Sequence, residues 1–150
     1  MSASFITVEQ GIKTAGVGKF QYRLFMIFGL VWLADAMQVL SIGFSAPSIA
    51  RTFGIPVPEA LQTGTAFFVG MLIGAFAFGR LADRIGRRPV LMMAVVIDAC
   101  AGVASAFAPD FAWLLLLRFV TGIGVGGTLP VDYTMMAEFL PSERRGRWLV

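Results

Sequence analysis

The chain alternates between long apolar stretches and short charged segments. Four stretches are long enough to cross a bilayer, at about 24–46, 60–80, 89–108 and 111–136, and another apolar stretch starts near 148. A hydrocarbon core about 30 Å thick requires about 20 apolar residues in a helix. These stretches lack the apolar–polar alternation of strands. The pattern therefore predicts an all-α membrane protein with four complete transmembrane helices and the start of a fifth.

Composition supports this prediction. Hydrophobic residues make up 57% of the 150 residues and charged residues 14%, whereas soluble domains carry about 25% charged residues. We therefore expect a short N-terminal segment, 1–23, and a partial transmembrane bundle, 24–150, of a longer protein. The lipid bilayer is the expected environment, and no nucleic-acid partner is expected. With Cys100 as the one cysteine and no histidine, the sequence gives no disulfide framework and no histidine-based metal site.

Lysine and arginine are concentrated on one predicted side of the membrane. Ten of them precede the first span, separate the second from the third, or follow the fourth, and Arg51 alone lies on the other side. The positive-inside rule then predicts a cytoplasmic N-terminus. We expect the protein in the plasma membrane, which in bacteria is the inner membrane.

Three charged residues interrupt the apolar spans near mid-depth. Asp35 lies about 17 Å from the inner end of the first span, Asp98 about 14 Å along the third, and Arg118 about 10 Å from the outer end of the fourth. Charges at this depth cost several kcal/mol unless they are paired or hydrated, so they indicate function. Sites for substrates and ions in transporters commonly lie at this depth.

The first span also carries a polar stripe. Asp35, Gln38, Ser41 and Ser45 fall within one third of the helix circumference, as expected for a cavity wall. A purely structural alternative is that Asp35 and Arg118 pair and neutralise each other. The two interpretations are compatible, because a switchable pair is one route to proton coupling.

A glycine-rich, basic segment joins the second and third spans. It contains Gly79, Asp83, Arg84, Gly86, Arg87 and Arg88. We expect the two glycines to permit a tight reversal and Asp83 to lie at the start of the third span, where a helix N-terminus favours a carboxylate. A plain basic loop that only sets orientation is the alternative. A second charged segment follows the fourth span, with Glu138, Pro141, Arg145 and Gly146.

These two segments resemble the loop motifs of the major facilitator superfamily, the second being similar to the sugar-porter branch. The resemblance implies twelve spans in two halves around a central cavity, with the missing C-terminal half supplying the other wall. It further implies that Glu138 pairs with Arg84 or Arg88, in an inner gate that also includes Asp83, Arg87, Arg145 and Gly146. We also expect Asp132, at the inner end of the fourth span, to belong to this charge cluster. The superfamily pattern places Arg118 in the cavity and leaves Asp98 as a packing or latch residue.

Glycines four residues apart occur in two spans. Gly70 and Gly74 in the second span and Gly122 and Gly126 in the fourth are expected to let helices approach closely. Gly122, Gly124 and Gly127 also match the spacing of a dinucleotide-binding loop. That motif requires a preceding strand, which the apolar length and Arg118 exclude.

The segments 32–38 and 129–133 resemble the organic-ion and synaptic-vesicle-protein-like branch, which includes carriers of niacin and aromatic acids. Together these features predict a secondary transporter, not an enzyme, for a small organic metabolite (an organic acid, aromatic acid or sugar), coupled to protons by alternating access. Asp35, Gln38, Asp98 and Arg118 are the expected coupling and substrate residues, and no cofactor or metal is expected. The alternative is a non-transporting receptor-like or assembly subunit on the same scaffold.

Overall fold

The computed structural model describes the backbone of residues 19–139 and the side chains of residues 22–23 and 25–134. This part of the chain forms the helices α1 (Lys19–Phe53), α2 (Val57–Ala60), α3 (Gln62–Ile85), α4 (Arg87–Ser105) and α5 (Phe111–Phe139). Four segments are long and apolar enough to cross a membrane: Phe25–Phe53, Val57–Ile85, Arg87–Ser105 and Phe111–Thr134. The predicted all-α membrane fold with four spans is confirmed, and the start of a fifth lies outside the described residues.

Among the described residues, two prolines lie in helix interiors, beyond the first turn. The sequence predicts that the first span ends near residue 46, next to Pro47, yet α1 continues through Pro47 to Phe53. Pro130 lies within α5 in the same way. Membrane helices tolerate proline because neighbouring groups satisfy the freed carbonyl. A proline within an apolar run is therefore a poor marker of a span end.

The connection between α3 and α4 is a single residue. Gly86 has φ 93° and ψ 157°, a conformation that other residues rarely adopt, and its N–H donates to the carbonyl of Ala82 at 3.1 Å. Gly79 lies inside α3, and Asp83 lies in the last turn of that helix, three residues before the reversal. The expectations that Gly79 contributes to the reversal and that Asp83 lies at the start of the third span are wrong, because α3 continues to Ile85 and Gly86 alone turns the chain.

The α3–α5 interface is a close backbone contact. A Cβ at Gly70 or Gly74 would collide with a carbonyl oxygen of α5, and one at Gly122 or Gly126 would collide with a carbonyl oxygen of α3. Gly124 makes a similar approach to α4, where its Cβ would lie 2.7 Å from the backbone nitrogen of Asp98. The three helices α3, α4 and α5 therefore form one tightly packed group.

Helix α5 is central and α1 is peripheral. Half of the apolar window of α5 is buried, against 17% for α1. Phe78, Ala82, Val90 and Val131 form a core between α3, α4 and α5. Helix α1 has a smaller core with its neighbours and packs sparsely on α5. The polar side chains considered next lie largely along this sparse contact.

Candidate functional site

Asp35 lies on the face of α1 that meets α5. Its side chain is 7% exposed. The Oγ1 hydroxyl of Thr128 on α5 lies 3.1 Å from Asp35 Oδ2. The carboxyl group also borders a cleft of about 450 Å³ whose walls include Trp32, Phe68 and Tyr133. An ionisable group is thus held between two helices and next to an aromatic-lined space.

The Thr128 hydroxyl has one hydrogen and two acceptors within reach. It lies 2.7 Å from the carbonyl oxygen of Val125, a shorter contact than the one to Asp35. If Asp35 is ionised, the two acceptors compete for one hydrogen. If Asp35 is protonated, its own O–H can donate to Thr128 while Thr128 donates to Val125. Protonation of Asp35 therefore gives Asp35, Thr128 and the Val125 carbonyl a hydrogen bond each, without competition.

A second polar contact joins α1 to α4. The side-chain amide of Gln38 donates to Asp98 Oδ1 at 2.7 Å, and both residues are partly buried. Asp98 also lies within electrostatic range of Asp35. The structure thus brings Asp35, Gln38 and Asp98 to one region of the α1 surface. This arrangement places Asp98 against the polar stripe of α1.

Arg118 lies elsewhere, in a separate cleft. It is partly buried and lines a space of about 400 Å³ between α1, α4 and α5, together with the hydroxyl residues Ser45, Ser48, Thr52 and Ser105. Arg118 and Thr128 are ten residues apart on one helix, which separates them by about 15 Å along the axis. The pairing of Asp35 with Arg118 that the sequence left open is therefore absent from this conformation.

Asp132 is the most deeply buried of these acids. Its side chain is 0% exposed, and neither carboxyl oxygen has a hydrogen-bond partner among the described residues. The Trp32 indole N–H lies close to it but outside hydrogen-bond geometry, and Asp35 lies within electrostatic range. Trp32 in turn contacts the Tyr133 ring at a centroid distance of 4.8 Å. Asp132 thus lies against α1, and its place in the inner gate stays a prediction.

The C-terminal end of α3 and the N-terminal end of α4 form a small charged cleft with α5, on the side that the sequence predicts to be cytoplasmic. Asp83 and Arg87 line it, together with Val131 and Thr134 of α5, in a volume of about 190 Å³. Arg84 and Arg88 are exposed nearby in the chain. The side chain of Glu138, and the residues Arg145 and Gly146, lie outside the described residues. The inner gate expected from these residues stays a prediction.

Sequence reasoning missed Thr128 and Trp32. Thr128 and Asp132 are four residues apart and share one face of α5. That spacing was a usable signal, but threonine is common in membrane helices and forms bonds to its own backbone, as Thr121 does here. The indole N–H of Trp32 gains significance from the unpartnered carboxyl group of Asp132 beside it, and sequence spacing does not bring these two residues together.

Comparisons with known proteins give the family. A sequence profile of the Major Facilitator Superfamily matches residues 24–150. The chain is 38% identical to the niacin transporter NiaP of Acinetobacter baylyi over 139 residues, which cover 93% of this chain and 32% of that protein. It is 36% identical to the synaptic vesicle 2-related protein of Xenopus laevis, over 95% of this chain and 26% of that protein.

A plant relative shows similar identity. The organic cation/carnitine transporter 7 of Arabidopsis thaliana is 35% identical over 96% of this chain and 29% of its own length. The chain therefore spans between about a quarter and a third of the length of these relatives. With four membrane-length helices and a profile match over most of its length, this chain is an integral membrane protein that belongs to the Major Facilitator Superfamily.

Proposed function

We propose that this chain forms part of a proton-coupled secondary transporter for a small organic metabolite, with Asp35 as the group that binds and releases the proton. The observation that carries the proposal is the arrangement of Asp35, Thr128 and Val125. A carboxyl group that is 7% exposed competes, when ionised, with a carbonyl for one hydroxyl hydrogen. Its protonated form removes the competition, so proton binding and local packing are linked.

The cleft around Arg118 supports the proposal that the substrate carries a negatively charged group. Arg118 makes no ion pair or hydrogen bond within the described part of the chain, and a guanidinium stays charged at any physiological pH. A carboxylate in this cleft would gain bidentate hydrogen bonds from Arg118. Among the organic acids, aromatic acids and sugars predicted from the sequence, this favours an acid. Two relatives are named for niacin and for organic cations or carnitine, which are small organic metabolites.

Alternating access would use the packing described above. The close contacts of α3, α4 and α5 favour movement of these helices together, with the sparsely packed α1 next to them. The charged inner ends at Asp83, Arg84, Arg87 and Arg88 would hold one state from the cytoplasmic side, with Glu138 and Arg145 as partners. We place the protein in the plasma membrane with its N-terminus inside, from the distribution of lysine and arginine.

The proposal is tested by uptake into proteoliposomes that contain the complete protein carrying this sequence. A thermal-shift screen of small carboxylic acids, with niacin included, identifies a transported ligand. Uptake is then measured with and without an inward proton gradient for the wild type, Asp35→Asn and the control Asp110→Asn. Asp110 is exposed, and asparagine preserves its role as a helix cap, where it accepts the N–H of Trp113 at 2.8 Å.

We expect Asp35→Asn to lose at least tenfold in gradient-driven uptake and to retain exchange of substrate across the membrane, since exchange requires no net proton transfer. Asp110→Asn should match the wild type. Arg118→Gln should lower uptake of the acid more than uptake of its uncharged amide. A proton gradient that leaves wild-type uptake unchanged would refute proton coupling. Wild-type protein that transports no ligand would favour the receptor-like or assembly role.

A further inference from the structure

Asp132 and Trp32 face each other with unused hydrogen-bonding capacity. Both Asp132 carboxyl oxygens and the Trp32 indole nitrogen are buried and unpartnered among the described residues. Buried polar groups in folded proteins are nearly always hydrogen bonded, so two such groups side by side require an explanation. The two belong to different helices, Trp32 to α1 and Asp132 to α5.

An ionised Asp132 is unfavourable in this arrangement. The side chain is 0% exposed, has no donor within hydrogen-bond geometry, and lies within electrostatic range of Asp35, which repels a carboxylate whenever Asp35 is itself ionised. Taking an unpaired carboxylate out of water costs far more than taking out a neutral carboxyl group. The conformation described here is therefore the one expected when Asp132 carries a proton.

The contact between α1 and α5 is much sparser than the contacts of α5 with α3 and α4. Helix α5 is tied to α3 and α4 by glycine contacts in which a single Cβ would collide with backbone. Helix α1 packs sparsely on α5 and on α3. A shift of α1 relative to α5 would therefore change the geometry between the Trp32 N–H and the Asp132 carboxyl group, which lie close together on the two helices.

We propose that Asp132 is a second proton-carrying group, and that its deprotonation draws the Trp32 N–H into a hydrogen bond, so that the charge on α5 sets the position of α1. In this step the carboxyl O–H bond of Asp132 breaks, the proton passes to water on the inner side, and the carboxylate accepts the indole N–H. The inference rests on the proposed proton-coupled transport for its purpose, but the contact itself can be tested without transport.

Within residues 25–134, few ionisable or hydrogen-bonding side chains lie near Asp132. From α1 it faces Asp35 and Trp32. On α5 its neighbour Tyr133 stacks on Trp32. Helices α3 and α4 contribute Asp83 and Arg87 to the inner cleft, whose walls include Val131 and Thr134 but not Asp132. Asp35 is thus the ionisable group that competes most directly with Asp132 for charge.

The test is infrared difference spectroscopy of the complete protein in lipid, recorded as the pH is raised. The carboxylic-acid C=O bands report protonated side chains. Variants are Asp132→Asn, Trp32→Phe and Asp35→Asn, with Asp110→Asn as the exposed-acid control and Trp113→Phe as the exposed-tryptophan control. Phenylalanine at position 32 preserves an aromatic ring against Tyr133 and removes only the N–H donor.

We expect one carboxylic-acid band to be absent in Asp132→Asn and present in the wild type and Asp110→Asn. In Trp32→Phe the same band should persist to a pH about one unit higher, because a hydrogen bond to a carboxylate contributes about 1.5 kcal/mol or more. Trp113→Phe should leave the band unchanged. If Asp132→Asn fails to fold, Trp32→Phe decides alone, since it leaves the carboxyl group in place.

Two results would overturn the inference. One is the absence of any carboxylic-acid band that is lost in Asp132→Asn, and the other is a band with the same pH dependence in Trp32→Phe as in the wild type. Failure of the proposed function has a different signature. In that case uptake does not respond to a proton gradient, while the Asp132 band and its dependence on Trp32 remain.

Discussion

The contact between α3 and α5 makes the sharpest quantitative prediction, through Gly126→Ala. A Cβ at Gly126 would lie 2.7 Å from both the Cα and the carbonyl carbon of Met71, and closer still to its oxygen. Ordinary contacts begin at 3.4 Å, so the two backbones must move apart, and the contact to the oxygen, which is the closest, decides how far. Backbone cannot rotate away as a side chain can. Overpacking of this kind costs about 1–3 kcal/mol.

The assay is thermal and denaturant unfolding of the complete protein in mild detergent. The matched control is Gly43→Ala on α1, where a Cβ meets nothing within 4 Å. Alanine has a higher helix propensity than glycine by about 0.8–1.0 kcal/mol, so the control should hold or raise the melting temperature. Gly126→Ala should lower it, although the chemical change is the same.

The opposite signs make the reasoning easy to refute. Equal melting temperatures for the two variants would mean that α3 and α5 do not approach as closely as described. A large loss in Gly43→Ala would mean that its surface is covered tightly in the complete protein. Gly122→Ala, whose Cβ would collide with the carbonyl oxygen of Phe67, should repeat the result for Gly126→Ala.

Two further predictions concern buried polar contacts, and both are measured by unfolding. Thr128→Val should destabilise the protein by about 1–3 kcal/mol because it leaves Asp35 without its side-chain partner, whereas Thr121→Val removes only a bond to its own helix and should cost less. Gln38→Leu should destabilise by a similar amount, and Asp98→Leu added to it should restore part of the loss; simple additivity in this double-mutant cycle would contradict the 2.7 Å hydrogen bond.

The apolar runs were sufficient to predict the fold. Four membrane-length helices follow from the cost of burying backbone in lipid, which depends only on length and composition. The boundaries were less predictable. Helix α3 continues through Gly79 and Asp83 because both residues can adopt helical backbone angles. The turn comes at Gly86, which has a positive φ.

The charged residues were identifiable from the sequence, but their partners were not. Depth along the helix axis placed Asp35 and Arg118 near the middle, and it could not give the rotation of α1 against α5. In the structure that rotation turns Asp35 toward Thr128 and leaves Arg118 in another cleft. Its position near the end of the fourth span placed Asp132 with the charge cluster there, and sequence position could not show that its side chain is fully buried.

The one-residue connection at Gly86 has a practical consequence for observing motion. Two Cα steps of about 3.8 Å keep the end of α3 within about 7.6 Å of the start of α4. Neither helix can slide along its axis without pulling the other. A fluorescent or spin label at the exposed Arg88 would therefore report the displacement of both helices at once, and after the tether is lengthened by several glycines it should report the displacement of α4 alone.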